Sequence, residues 1–226
     1  MSQKVDFDAY TADYNRLLRE GTGFFSSSET YFASYKVEQV RRVIPLPVKR
    51  ILEFGCGIGR NVPFLAAAFP GAEILGTDVS PASIEQARQE NPGHAFHVES
   101  ELLDIGTFDL VFVAGVFHHI APAERPDIMA LIARRLAPNA HLCVFEHNPY
   151  NPVTRRIVSN CPYDADAILL NPSELAALMK AAGFDVLAKR YCLFVPPRLA
   201  ALRHVERALT WLPLGGQYWI HATTRA

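Results

Sequence analysis

One stretch near residue 50 constrains the fold of this 226-residue chain more than any other. Residues 50–54 (RILEF) have the pattern of a β-strand, three alternating glycines (Gly55, Gly57 and Gly59) follow at once, and a helix is predicted over residues 62–69. Glycine lets the backbone turn sharply and leaves no side chain between it and a ligand, and a helix start adds oriented N–H groups. The stretch therefore predicts a strand–loop–helix unit that binds a polar ligand. The alternative is a tight turn with no ligand.

Strand and helix patterns alternate from about residue 50 to residue 147. After the first unit, they predict strands at residues 73–77, 95–98, 109–113 and 141–145 and helices at residues 81–90 and 127–136. Ser80 is a suitable N-cap for the first of these helices, and Pro81 suits its first turn. Strands that alternate with helices through short connections predict a parallel sheet covered on both faces.

The elements outside this core have weaker signals. Residues 1–45 are helix-prone and rich in Tyr and Phe, and residues 148–170 have an irregular or partly helical pattern. The remaining predicted elements are a helix capped by Ser173, a strand at residues 184–191, an amphipathic helix at residues 199–211 and a strand at residues 217–223. The amphipathic helix could lie on a membrane surface, but packing on the sheet before the final strand is the preferred interpretation.

Composition narrows the classes of partner and the cellular compartment. Lys plus Arg number 22 and Asp plus Glu 23, a formal charge of −1, so nothing in the composition favours a nucleic-acid partner. The four cysteines form no C-x-x-C pair, which favours reduced thiols over a disulfide framework or a zinc site. The first ten residues contain no apolar run, and the apolar stretch at residues 110–117 is too short to span a bilayer. We therefore expect a cytoplasmic protein with no stable membrane insertion.

An acidic residue follows the second predicted strand. Asp78 lies nineteen residues after Gly59, where a carboxylate can accept both hydrogen bonds of a ribose diol. The dinucleotide-binding fingerprint G-x-G-x-x-G needs a glycine at position 60, which is Arg60 here, and the sequence has no G-K-[ST] phosphate loop. The E-x-G-x-G-x-G pattern of residues 53–59, together with Asp78, resembles class I S-adenosylmethionine-dependent methyltransferases. The resemblance covers residues 50–147 well and the flanks more loosely.

This resemblance implies a fold, a cofactor and a domain organisation. The implied fold is an α/β, Rossmann-like, doubly wound sheet of seven strands, mostly parallel with an antiparallel last strand. The implied cofactor is S-adenosylmethionine, with S-adenosylhomocysteine as its product. One domain would span residues 1–226, with an N-terminal helical lid (1–45), a cofactor-binding core (46–147), and an insertion, helix and final strands (148–226). The sequence leaves a monomer and a homodimer both open.

The resemblance also implies which residues bind the cofactor. Glu53 would lie near the amino group of the methionine part, Asp78 would bind the ribose, and Val79 would lie against the adenine. Glu99 would accept a hydrogen bond from the adenine amino group, and the backbone of Ser100 would face the ring. The family often has Asp-Ala at these last two positions. The other implied cofactor-binding residues are Tyr14, Gly55, Cys56, Gly57, Gly59 and Ala114.

The flanks resemble the family less closely. Residues 7–14 (FDAYTADY) are similar to its F-D-x-x-A-x-x-Y opening, in which the second tyrosine, here Tyr14, closes over the cofactor carboxylate. The alternative is an aromatic helix that packs on the domain. Flanking residues expected to cover an acceptor are aromatic or charged: Phe24, Phe25, Tyr31, Phe32, Tyr35, Tyr150, Arg155, Arg156, Tyr163, Asp164 and Asp166. The alternative interpretation places most of these aromatics in the core.

Polar residues that follow the fourth and fifth predicted strands are candidates for the chemistry. Ligands in open parallel sheets bind at the carboxyl ends of the strands, so His118, Glu146 and His147 would border the transferred methyl group. An imidazole is suited to taking a proton from a hydroxyl or an amine, although the H-H-I sequence at residues 118–120 could simply shape the loop. Two histidines and a carboxylate could also hold a metal ion, but nothing in the sequence fixes their geometry, so no metal site is predicted.

The predicted function is methyl transfer from S-adenosylmethionine to a small-molecule acceptor. Aromatic, arginine and acidic residues mixed in the flanks suit a polar organic acceptor, so the expected acceptor atom is an oxygen of a sugar, a polyol or an aromatic hydroxyl. The alternatives are N-methylation of a small amine or of a protein side chain, and a regulatory module that binds the cofactor without turnover.

Overall fold

The structure, a computed structural model, describes residues 5, 7–10, 29–101 and 105–225. Its strands are β1 (Arg50–Phe54), β2 (Glu73–Asp78), β3 (Ala95–Val98), β4 (Phe108–Ala114), β5 (Leu136–His147), β6 (Phe184–Cys192) and β7 (Gln217–Thr224). In the part of the chain described, they form one seven-stranded sheet in the order β3-β2-β1-β4-β5-β7-β6. Only the two pairings of β7, with β5 and with β6, are antiparallel. The predicted α/β sheet with an antiparallel last strand is confirmed.

Helices connect and cover these strands. They are α1 (Phe7–Tyr10), α2 (Glu29–Arg41), α3 (Val62–Ala68), α4 (Pro81–Glu90), α5 (Arg125–Arg134), α6 (Pro152–Asn160), α7 (Pro172–Ala181) and α8 (Arg203–Leu209). Short 3₁₀ turns lie at Glu99–Glu101, Phe117–His119, Pro162–Asp164 and Pro197–Leu202. Within the described ranges, no helix is long and apolar enough to cross a membrane.

The start of α7 corrects the sequence prediction, which placed the N-cap at Ser173. Asn171 is the cap: its side chain accepts hydrogen bonds from the backbone N–H groups of Ser173 and Glu174 (2.9 and 3.0 Å). The Glu174 carboxylate in turn accepts one from the Asn171 N–H (2.7 Å). The helix begins earlier than predicted because this reciprocal capping box satisfies three N–H groups and because Pro172 suits a first helical turn.

The helix predicted over residues 199–211 is also shorter than expected. A 3₁₀ turn that contains the non-helical Leu199 (φ −109°, ψ 34°) precedes α8, and α8 ends at Leu209. The buried Glu206 of α8 accepts hydrogen bonds from the N–H groups of Phe194 and Val195 (2.6 and 2.9 Å), just after β6. These bonds hold α8 against the end of β6, as the packing interpretation of this segment expects.

Both faces of the sheet are buried, which explains the uninterrupted apolar runs of its central strands. Successive side chains of a strand point to opposite faces. On β4, Leu110 and Phe112 pack in the core shared with α2, α3 and α4, whereas Val111 and Val113 pack in the core shared with α5 and α7. The parallel strands β1, β2, β4 and β5 all end at one edge of the sheet, so the residues that follow them meet there.

Candidate active site

A cavity of about 350 Å³ lies at the carboxyl ends of β1, β2, β4 and β5. One end is lined by the loop after β1 and by Asp78 and Val79 at the end of β2. The other end is lined by His118 and His119 after β4 and by His147 at the end of β5. Side chains from α2 and from the insertion after β5 complete the wall. The cavity thus joins the predicted cofactor region to the predicted catalytic region.

The loop after β1 needs glycine for two different reasons. Gly55, Gly57 and Gly59 all have positive φ (69°, 52° and 76°), which other residues rarely adopt. A Cβ on Gly55 would lie 2.3 Å from the Val116 Cγ2, and one on Gly59 would lie 2.8 Å from the Asn91 Nδ2. A Cβ on Gly57 would meet no atom within 4 Å. Close packing therefore requires glycine at positions 55 and 59. Gly57 instead leaves open space beside the loop at the cavity, which we call the cradle. Gly59 does not line the cavity, so its contact with a cofactor stays a prediction.

Asp78 is tied to this loop. Its Oδ2 accepts a hydrogen bond from the N–H of Gly57 (2.8 Å), and its Oδ1 accepts one from the N–H of Ser80 (3.0 Å). Burial raises the pKa of Asp78, although these backbone donors act in the opposite direction. The Val79 side chain beside it is 63% exposed at the cavity wall. This edge combines a carboxylate with an apolar surface, as a ribose and an adenine would require.

Glu53 lies behind the cavity wall, not on it. The residue is 1% exposed, and its Oε1 accepts a hydrogen bond from Asn61 Nδ2 (2.5 Å), whereas its Oε2 has no hydrogen-bond partner among the described residues. Burial raises the pKa of Glu53 to about 8, against the opposing effects of Asn61 and Lys36. Asn61 itself lines the cavity and makes no N-cap hydrogen bond at the start of α3. The sequence analysis missed Asn61, although a polar side chain two positions after the third glycine is a signal that could have found it.

Lys36, from the middle of α2, also lines the cavity. No hydrogen bond or ion pair joins its ammonium group to another described residue. Burial lowers the pKa of Lys36, and the nearby Cys192 and Glu53 oppose that effect. The sequence analysis missed this residue because no pattern in α2 distinguishes one lysine. Only the packing of α2 over the loop after β1 brings this lysine to the cavity.

Glu99 and Ser100, both predicted to contact the adenine, differ in whether they line the cavity. Glu99 lines the cavity, but its carboxylate is paired with the Arg135 guanidinium (Nη2 to Oε1 2.5 Å, Nη1 to Oε2 3.1 Å). Ser100 is exposed and does not line the cavity. Cys56 and Ala114 do line it. The contacts of these four residues with a cofactor stay predictions.

His118 and Glu146 form a buried pair at the other end of the cavity. The His118 Nδ1 lies 2.6 Å from the Glu146 Oε2, and the Glu146 Oε1 accepts hydrogen bonds from the N–H groups of Val116 and Phe117 (3.1 and 2.7 Å). Glu146 is 0% exposed and stands behind His118. Burial lowers the pKa of His118, but the carboxylates of Glu146 and Asp164 outweigh it and raise that pKa to about 9. The pairing also lowers the pKa of Glu146, although burial alone would raise it.

Asp164, from the insertion after β5, completes this end of the cavity. Its Oδ1 lies 3.5 Å from the His118 Nε2 and 3.4 Å from the His119 Nε2. The ring centroids of His118 and His147 are 4.8 Å apart. Burial would raise the pKa of Asp164, but the neighbouring histidines, His118 first, lower it to about 2. Burial, together with His118, lowers the pKa of His147 to about 4.

Val5 and Phe7, in the described part of the N-terminal segment, contact the insertion after β5. The Val5 N–H donates a hydrogen bond to the Asp166 Oδ2 (2.9 Å), and the Asp166 Oδ1 lies 3.0 Å from the His119 Nδ1. The Phe7 ring packs against His119 and Tyr163, with centroids 5.1 and 5.2 Å apart. This position agrees with a lid, a role that stays a prediction. Residues 1–4, 6 and 11–28 of the predicted lid lie outside the described ranges, and with them the predicted site and cover residues Tyr14, Phe24 and Phe25.

The other flanking residues divide between core and surface. Tyr31 and Tyr35 are buried in the core, as the alternative interpretation states, and Phe32 lines the cavity. Tyr150 is 54% exposed. Among the described residues, the expected acceptor-covering ones that do not line this cavity are Tyr31, Tyr35, Tyr150, Arg155, Arg156 and Asp166. Within the described ranges, the predicted cover is therefore reduced to one aromatic of α2 and the insertion around Asp164.

Comparison with known sequences points to one family. Residues 52–142 match a family model described as a methyltransferase domain. Trans-aconitate 2-methyltransferase of Methylobacterium nodulans is 31% identical over 126 residues, which cover 51% of this chain and 46% of that protein. The protein of the same name from Acidovorax sp. is 28% identical over 192 residues, which cover 80% of this chain and 72% of that protein. The chain thus spans about half the length of the first of these relatives.

Solved structures share the fold over nearly the whole chain. A TehB-like SAM-dependent methyltransferase from Corynebacterium glutamicum is 18% identical with a TM-score of 0.65, over 96% of this chain and 99% of that chain. Phosphoethanolamine N-methyltransferase 2 of Haemonchus contortus, in complex with S-adenosyl-L-methionine, is 16% identical with a TM-score of 0.66, over 98% of this chain and 60% of that chain. At these identities, the likeness shows the fold alone.

Proposed function

We propose that this chain, which carries a class I methyltransferase domain, transfers the methyl group of S-adenosylmethionine to an oxygen atom of a small-molecule acceptor. One observation carries the proposal: a single cavity runs from the open cradle at Gly57 and the Asp78 carboxylate to the buried pair of His118 and Glu146. Its volume of about 350 Å³ is that of a small-molecule site. Cofactor and acceptor would meet in this one enclosure.

The residues at the loop end of the cavity fit S-adenosylmethionine. Its ribose needs a hydrogen-bond acceptor and its adenine an apolar surface, which Asp78 and Val79 provide. Its ammonium group suits the Asn61 side chain and the Glu53 Oε2 behind it, and its carboxylate suits the Lys36 ammonium. Bound there, the cofactor supplies a methyl group activated by a sulfonium.

Methyl transfer to oxygen requires that the acceptor be aligned with the methyl group and that the acceptor lose a proton. Side chains at the other end of the cavity suit both tasks. The His147 imidazole has no hydrogen bond to a described residue and lines the cavity, so it is the group that we assign to take the proton of an acceptor hydroxyl. His118, held by Glu146, positions the acceptor oxygen. Phe32 and Tyr163 add aromatic surfaces to the cavity wall.

The choice of a small polar acceptor has two supports. The acceptor end of the cavity is lined mainly by imidazole, carboxylate and aromatic side chains, which bind small polar organic molecules through hydrogen bonds and ring contacts. Two relatives are named trans-aconitate 2-methyltransferases, which agrees with a small organic acceptor.

The experiment is a methyl-transfer assay with methyl-labelled cofactor and panels of sugars, polyols, phenols, carboxylic acids and amines. We expect the label on an oxygen acceptor, with kcat strongly reduced in His147→Ala and the affinity for the cofactor unchanged. Labelling of amines alone would move the acceptor atom to nitrogen. Cofactor binding without transfer to any panel would indicate a regulatory module, and the lack of cofactor binding in calorimetry would overturn the proposal.

A further inference from the structure

We propose that His118, His147 and Asp164 bind one divalent transition-metal ion, with zinc as the first candidate, at the acceptor end of the cavity. Each side chain offers one donor atom, and the three donor atoms lie within 4.8 Å of one another. All three residues line the cavity. They come from the 3₁₀ turn after β4, from the end of β5 and from the insertion after β5, so only the fold brings them together.

The spacing of the donor atoms suits a shared ion. Two ligands of one tetrahedral zinc, each bound at about 2.0–2.1 Å, stand about 3.4 Å apart. The His118 Nε2 and the Asp164 Oδ1 are 3.5 Å apart, a separation that is long for a direct hydrogen bond but close to this value. The widest donor pair, at up to 4.8 Å, requires a small side-chain rotation. His147 is able to make it, because no hydrogen bond to a described residue holds its imidazole.

A carboxylate behind one ligand orients it. Metal-bound histidines generally hydrogen-bond their second ring nitrogen to a carboxylate or a carbonyl, which sets the tautomer and directs the other nitrogen to the metal. Here the Glu146 Oε2 lies 2.6 Å from the His118 Nδ1, so the Nε2 is left facing Asp164. Glu146 is itself held by the N–H groups of Val116 and Phe117. The carboxylate that would hold a metal-bound His118 in its orientation is therefore already in place.

The donor set selects the kind of metal. Two imidazoles and one carboxylate favour zinc and its neighbours among the transition metals, whereas magnesium and calcium prefer oxygen ligands. Three protein ligands leave a coordination position open, and here it would face the cavity. An oxygen of a small acceptor molecule suits that position, and in the ion-bound chain the metal would favour loss of the acceptor proton in place of the free His147 imidazole. This use of the metal rests on the proposed function, whereas metal binding itself does not.

The experiment is zinc titration of the full-length chain, with any affinity tag removed and the protein stripped by a chelator. Calorimetry should give one zinc ion per chain. His147→Ala and Asp164→Asn each remove one proposed ligand and should weaken zinc binding by about 100-fold or more. A change in a residue that only hydrogen-bonds to a ligand weakens metal binding by roughly 10–100-fold. His97→Ala is the matched control, because His97 lies on β3, away from the cavity, and its removal should leave zinc affinity unchanged.

A second measurement on the unsubstituted chain guards against misfolded variants. Cobalt(II) bound by His118, His147 and Asp164 should show the intense visible absorption of four- or five-coordinate cobalt, and one equivalent of zinc should abolish it. A weak octahedral cobalt spectrum, no zinc binding, or equal zinc affinity in both ligand variants and the unsubstituted chain would overturn the proposal. The cluster would then be an ion pair of protonated His118 with Glu146 and Asp164. Binding of S-adenosylmethionine is measured in a separate titration. A chain that binds zinc but not S-adenosylmethionine would contradict the proposed function but not the proposed metal site.

Discussion

The carboxylate of Asp78 accepts a hydrogen bond of 2.8 Å from the backbone N–H of Gly57. One partner ends β2 and the other lies in the loop after β1, so the two parts of the sequence pattern that indicate an adenosyl ligand are in direct contact. The bond holds the open part of the glycine cradle in place. Loop geometry and ligand affinity therefore depend on the same carboxylate.

Replacing Asp78 by alanine should weaken binding of S-adenosylhomocysteine by about 1–3 kcal/mol, because hydrogen bonds to the ribose and to the loop are both lost. Titration calorimetry measures the change. Asp109→Ala is the matched control, since the Asp109 Oδ2 accepts hydrogen bonds from the N–H groups of Lys49 and Arg50 (2.7 and 3.0 Å) at the opposite end of the sheet. Both variants should lose stability, but only the first should lose affinity. An Asp78→Ala variant with full affinity would remove this residue from the site.

Gly57→Ala and Gly71→Ala form a second matched pair. Both glycines have positive φ (52° and 83°) and open space where a Cβ would stand, so each change should cost about 1 kcal/mol of stability through the backbone alone. Gly57 lines the cavity and Gly71 does not. Only Gly57→Ala should lower cofactor affinity, by about tenfold or more, because its methyl group would stand in the cradle. Denaturant unfolding and calorimetry give the two quantities, and equal affinities in the pair would place the cofactor elsewhere.

Lys36→Met should weaken binding of S-adenosylhomocysteine by about 1.5–3 kcal/mol, because a hydrogen bond to a charged carboxylate is lost. The same variant should bind methylthioadenosine, which lacks the amino acid part, as tightly as the unsubstituted chain does. Lys189→Met, at an exposed position of β6, is the control for loss of a positive charge. A Lys36→Met variant that loses affinity equally for both ligands would show that Lys36 acts on the adenosyl part or on folding, not on the carboxylate.

The stability of the chain should depend on pH through Glu53. Burial raises its pKa from about 4.5 to about 8 in the folded protein, so between these values the folded state holds a proton that the unfolded state has released. The resulting stabilisation is fully present below about pH 4.5 and is lost as the pH rises through about 8. Glu53→Gln cannot ionise and should therefore gain stability relative to the unsubstituted chain as the pH rises from about 5 to about 8.5.

Urea unfolding at a series of pH values measures this difference. Glu73→Gln is the control, because Glu73 is exposed and its hydrogen bond with Arg50 lowers its pKa. The contribution of Glu73 to stability is therefore present above its unfolded pKa of about 4.5 and stays constant from about pH 5 to about pH 8.5. A free-energy difference between Glu53→Gln and the unsubstituted chain that did not change with pH would mean that Glu53 is not a buried carboxyl with a raised pKa.

The parts of the fold that could be predicted have local signals. The predicted first strand coincides with β1, because an apolar run and three glycines mark it within ten residues. Ser80 caps α4 as expected, with its side chain accepting a hydrogen bond from the Ser83 N–H (3.0 Å). Ser173 does not cap α7, because Asn171 and Glu174 form a better capping box and no local rule ranks two suitable caps two residues apart. The glycine loop lies within residues 52–142, which match a family model described as a methyltransferase domain, in agreement with the family predicted from that loop.

The sequence by itself determined which edge of the sheet carries the site. Glycines and acids at strand ends are local features, and parallel strands bring their carboxyl ends together whatever covers them. Only the tertiary structure decided that Asn61 stands between Glu53 and the cavity, that Lys36 reaches it from α2, and that Asp164 joins two histidines. These neighbours are far apart along the chain or depend on side-chain direction. They are set by how helices and the insertion pack on the sheet, and no short stretch of residues encodes that packing.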